Sequence, residues 1–164
     1  DHLEGAATVL KPEHFGCANA IGSAISKVSG TYEKLIDYRN RQGLAPQIGA
    51  QMTKITEGHA WAELTVQPNQ QNLIGSVHGG ILMTFADVVA AAAAWSYGSH
   101  ITTQECSIHF LNAAIHVDKL LAEGIVEKRG KRIFVVRVEI TDPAGRKILT
   151  STFSLFNLGK PLKV

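Results

Sequence analysis

The sequence predicts an α+β domain in which an antiparallel sheet covers one long apolar helix. Three observations carry that expectation. The stretch from Gly79 to Tyr97 holds a single charge, Asp87, so a helix there has no face for water and belongs inside a protein. Beyond it lie four segments in which apolar and polar residues alternate, separated by turn formers, as hairpin-linked strands do. Nothing in the 164 residues reads as a linker, an internal repeat or a low-complexity tract, so one core suffices.

Residues 1–30, rich in Ala, Gly and Ser, predict a short helix around "CANAIGSAISKVS" or a loosely packed N-terminal arm. "TYEKLIDYRNRQ" predicts a helix with Thr31 as N-cap and Gly43 as stop. In "HAWAELTV" the period becomes two, with Ala60, Ala62, Leu64 and Val66 on one face. The polar loop "QPNQQNLIGSVHGG" then leads into the central helix, residues 79–97. Strands are predicted over residues 102–111, 119–128, 131–141 and 146–157, parted by "NAAIHVD", "KRGK" and "DPAGR". In the third, Phe134, Val136, Val138 and Ile140 share one face and Arg137 and Glu139 the other, so one side of the sheet is wet or at an interface. The apolar side needs a cover, and the central helix is the one long candidate.

Composition excludes several classes. A formal net charge of +2 is too small for a nucleic-acid binder, so any bound anion must meet a local basic cluster. Asp87 at the centre of the apolar run, with no flanking basic cluster, argues against a membrane span. Cys17 and Cys106 form no disulfide framework, which makes a cytoplasmic protein the expectation, and no targeting address is legible. Cys106 and His109, an odd number of residues apart on a strand, point to opposite faces. His59, His100 and His116 lack metal-ligand spacing, and there is no GxSxG elbow or phosphate loop.

Asp87 is the anomaly. Helical spacing gives it only Met83, Thr84, Ala90 and Ala91 as neighbours, and none can pair with a charge. A carboxylate in an apolar setting without an ion partner is destabilised as an anion and becomes a stronger base or nucleophile. The alternative is that it faces a polar groove and hydrogen-bonds locally.

Asn72, Gly75, His78, Gly79, Gly80 and Asp87 stand in an order and spacing that resembles the hotdog-fold thioesterases, specifically the phenylacetate-pathway (PaaI-like) acyl-CoA thioesterases. A basic turn, "EKRGKR", falls where that family has its CoA-side hairpin, and the resemblance covers residues 45–157. It implies a curved antiparallel sheet wrapped around the central helix in a hotdog domain over residues 31–164, with residues 1–30 outside it. It also implies hydrolysis of acyl-CoA thioesters with no metal and no cofactor beyond the CoA of the substrate. Asp87 is then the nucleophile that forms a mixed anhydride, or the base that activates water. Thr103 helps place the lytic water.

If the helix begins near Gly79, its first N–H groups lack internal acceptors and can polarise a thioester carbonyl, and Gly79 and Gly80 let a substrate approach the backbone. Asn72 either orients the reacting groups or shapes an Asx turn. His78 either meets substrate or caps the helix. Lys128, Arg129, Lys131 and Arg132, around Gly130, either meet the CoA phosphates or form a solvated hairpin tip. Gly79 and Asp87 are eight residues apart, about 12 Å along a helix axis, too far for one carbonyl to meet both. A homodimer with antiparallel helices, alone or as a dimer of dimers, would bring each helix start to the other chain's Asp87. The rival readings are a non-catalytic acyl-CoA-binding or ligand-sensing protein and, less well matched by "SVHGG", a hydratase.

Overall fold

The computed structural model describes residues 30–163; the predicted arm, save Gly30, lies outside them. Helix α1 runs over residues 30–41, so Thr31 is inside it rather than its N-cap. Gly43 does follow its end, at φ 76°, a conformation that a Cβ would penalise. Leu35 anchors α1 in the core, and the Asn40 carboxamide holds the backbone of Met52, accepting from its N–H at 2.6 Å and donating to its carbonyl at 3.1 Å.

That backbone belongs to a strand the periodicity did not reveal. Strand β1, Ala50–Thr56, buries Ala50 and Met52 and then Ile55, because a register shift between Met52 and Lys54 breaks the alternation. The other strands are β2 (His59–Thr65), β3 (Ser99–Phe110), β4 (Lys119–Arg129), β5 (Ile133–Thr141) and β6 (Lys147–Pro161). They form one antiparallel six-stranded sheet in the order β1-β2-β4-β5-β6-β3. Phe134, Val136, Val138 and Ile140 face inward as expected, while Arg137 on the outer face pairs with Glu127 and Glu139 at 2.8 and 3.1 Å.

The central helix α2 is Gly79–Trp95, two residues shorter than expected; Gly98, at φ 78°, turns the chain into β3. Its inner face packs on the sheet through Phe85 and Val89. A Cβ at Gly124 of β4 would lie 3.0 Å from Val89 Cγ1, so that glycine sets how closely helix and sheet approach. The helix is not covered on all sides: Met83 is exposed, and Asp87, Ala91 and Trp95, following at single-turn spacing, are half-buried. No helix among the described residues is long and apolar enough to cross a membrane.

Candidate active site

The loop before α2 is built by Asn72. Its Oδ1 accepts from the N–H groups of Ile74 and Ser76, both at 3.1 Å, and Gly75 closes the turn at φ 76°. The Asx-turn reading therefore describes the oxygen. The amide end, Nδ2, has no partner among the described residues, and Asn72 borders a cavity of about 300 Å³ with Gly79, Leu82 and Phe110.

His78 is the N-cap of α2. Its backbone N–H donates to Gln70 O at 2.8 Å, and its Nδ1 accepts from Gly80 N–H at 2.9 Å, which puts the imidazole proton on Nε2. The Gly80 amide is thus occupied. The Gly79 amide, at the first helical position, meets no acceptor among the described residues and lies at the positive end of the helix dipole. A Cβ there would sit 3.2 Å from Phe110 Cζ, so glycine keeps that approach open.

Asp87, two turns further along, is not without partners. Thr103 Oγ1, on β3, donates to Asp87 Oδ1 at 2.5 Å. A positive charge comes from α1: burial pushes the Arg39 guanidinium below its ordinary value, and the neighbouring Asp87 carboxylate pulls it back up. The alternative reading, a carboxylate that hydrogen-bonds, therefore holds through Thr103, and no ion pair joins Asp87 to a cation among the described residues; Arg39 lies nearby and bonds the Val88 carbonyl. Helix spacing could show only α2's own residues, whereas the Thr103 hydroxyl and the nearby Arg39 charge come from other elements. For Arg39 there was a signal, since it stands four residues after the core anchor Leu35, on the inward side of α1.

The basic hairpin lies at the other end of α2. Arg129 places its guanidinium 4.2 Å over the ring of Tyr97, just past the helix C-terminus, while Lys128, Lys131 and Arg132 are exposed. A Cβ at Gly130 would collide with the Ile133 carbonyl, so the tight tip requires glycine. One chain therefore gathers Asn72, His78, Gly79 and Gly80 at the helix start and Asp87 with Thr103 at mid-helix. The hairpin is about 25 Å from Gly79 along the axis.

Residues 74–149 match the family model described as the thioesterase superfamily. The acyl-coenzyme A thioesterase PaaI of Escherichia coli is 33% identical over 98 residues, 60% of this chain and 70% of that one. The chain belongs to the PaaI-like family of hotdog thioesterases. The solved E. coli PaaI structure matches this PaaI-like chain with a TM-score of 0.72 at 27% identity, over 76% of this chain and 90% of that one. A hypothetical thioesterase of Streptococcus pneumoniae TIGR4, solved with coenzyme A, matches with a TM-score of 0.66 at 29% identity, over 69% and 88%. A Streptococcus mutans UA159 protein bound to acetyl CoA matches with 0.66 at 27%, over 69% and 91%. The S. pneumoniae protein was also solved with a single Asp or a single Thr replaced by Ala, at positions 16 apart, the separation of Asp87 and Thr103 here.

Proposed function

We propose that this PaaI-like chain is a cytoplasmic acyl-CoA thioesterase that cleaves an acyl- or aryl-acyl-CoA to the free acid and CoA, with no metal and no cofactor beyond the CoA of its substrate. The observation that carries the proposal is the Asp87 carboxylate, half-buried and held by Thr103 Oγ1, on the same helix whose first amide, Gly79 N–H, meets no acceptor among the described residues. The thioester oxygen accepts from Gly79 N–H, where the helix dipole steadies the oxyanion; a donor so placed contributes about 3 kcal/mol to the transition state. Asp87 either attacks the carbonyl carbon, expelling CoA thiolate and leaving a mixed anhydride for water to open, or takes a proton from the attacking water. With its oxygen spent in the turn, Asn72 has only Nδ2 to offer the substrate. His78 acts by fixing the amide frame of the helix start.

The active unit in this proposal is a homodimer, alone or paired into a tetramer. Gly79 and Asp87 of one chain are about 12 Å apart along the axis, so a second copy supplies the carboxylate. Strand β3 is an edge of the sheet with mostly exposed residues, open to pairing across a two-fold axis. Leu73, Ile74, Met83 and Phe110 are exposed apolar side chains around the helix start, which a second copy would cover. Antiparallel helices would also bring each basic hairpin to the other chain's helix start. There Lys128, Lys131 and Arg132 would meet the CoA phosphates, with Arg129 partly engaged by Tyr97.

Thiol release from short-chain, long-chain and aryl acyl-CoAs tests the reading. Turnover of any of them supports it. Tight binding of all without turnover would favour an acyl-CoA sensor instead.

A further inference from the structure

Along the open row of α2, Ala91 separates Asp87 from Trp95 by one turn on each side, and α1 lies against this part of the helix. Arg39 places its guanidinium carbon 4.8 Å from the centre of the Trp95 ring and donates from Nη2 to the carbonyl of Val88, the residue next to Asp87, at 2.8 Å. Its Nε is buried and has no hydrogen-bond partner among the described residues. Tyr38 approaches the same Trp95 ring, at 6.2 Å between centres, and Leu35 and Asn40 fix α1 on either side of Arg39, so the cation is carried by a rigid element. Packing alone does not explain a guanidinium here. An apolar side chain would fill the space without the cost of desolvating a charge and stranding a donor.

The geometry points to Arg39 as a positioning residue, the fixed positive charge that, together with the Thr103 hydroxyl, orients the Asp87 carboxylate toward a bound thioester. This rests on the hydrolase reading. Thr103 secures Oδ1, and one hydrogen bond leaves the carboxylate free to swing about it; the Arg39 charge, bonded beside it at the Val88 carbonyl rather than to the carboxylate itself, biases that freedom through space. Arg39 itself need not touch the substrate.

Two experiments on the full chain test the inference. In urea, Arg39→Met lowers the unfolding midpoint more in the wild-type background than in Asp87→Asn, where no anion remains to be left alone. Equal shifts in both backgrounds would overturn the inference. In turnover, Arg39→Met loses kcat by about tenfold or more with KM changed by less than about twofold. In Arg39→Ala, which leaves the space of the side chain open, added guanidinium ion restores part of the loss, whereas urea at the same concentration does not. A change confined to KM, or no rescue by guanidinium, would assign Arg39 to packing alone. Because unfolding requires no turnover, a wild type that hydrolyses nothing overturns the hydrolase reading while the midpoints still decide for or against the pairing.

Discussion

Thr103 Oγ1 donates to Asp87 Oδ1 at 2.5 Å, joining the edge strand β3 to the middle of α2. The bond places a hydroxyl and a carboxylate together at the margin of the sheet, where a second chain can reach them. Asp87→Asn, nearly isosteric, is expected to keep the fold and lower kcat by about a hundredfold or more, because it removes the proposed nucleophile or base. Thr103→Ala should lose about tenfold, with Thr103→Ser near wild type, since serine retains the donor. Steady-state kinetics, with circular dichroism to check the fold, measures both; full turnover by Asp87→Asn would sink the catalytic role.

In the proposed function the basic hairpin serves binding and not chemistry. Neutralising Arg129, Lys131 and Arg132 together is expected to raise KM for acyl-CoA while sparing a small thioester without the nucleotide, because charges far from the carbonyl contribute only to binding. Equal losses on both substrates would make the turn a folding element.

Gly130→Ala tests that folding contribution by itself. A Cβ there meets the Ile133 carbonyl, a backbone atom that cannot swing aside, so the variant should be less stable by about 1–3 kcal/mol in urea unfolding. Wild-type stability would show that the hairpin tip can shift at no cost.

Much of the fold was legible where the pattern was unbroken. Strand β5 buries every second residue from Phe134 to Ile140, and α2 has one charge in 17 residues. Strand β1 escaped because the bulge after Met52 moves Ile55 out of phase with Ala50. In the site, Asn72, His78 and Gly79 were readable because they are neighbours in sequence and their bonds are local. Of the surroundings of Asp87, Thr103 was legible only through the family resemblance and Arg39, as a neighbour of Asp87, not at all, because both come near it through the packing of β3 and α1 on α2.

Acid should loosen the turn between β5 and β6. The Arg146 side chain and the N–H groups of Arg146 and Ala144 hold the Asp142 carboxyl below the usual aspartate value of 3.8. A carboxyl lowered on folding stabilises the folded state above its unfolded value and loses that contribution as pH falls through the folded one. The stability gap between wild type and Asp142→Ala should therefore hold from neutral pH down to about 4 and close below it. A gap that persists unchanged well below the usual aspartate range would contradict the assignment.

A site shared between two copies is the centre of the proposed mechanism, and mixed dimers test it most directly. Asp87→Ala removes the carboxylate from one end of the shared site, and Asn72→Ala removes the turn and the free amide at the other; each should be inactive alone. Unfolding an equimolar mixture and refolding it pairs the chains at random, so about half of the dimers are mixed, each with one intact site of two. Activity should recover to roughly a quarter of wild type. Recovery near zero, with mixed dimers verified by native mass spectrometry, would show that each site draws all its residues from a single chain.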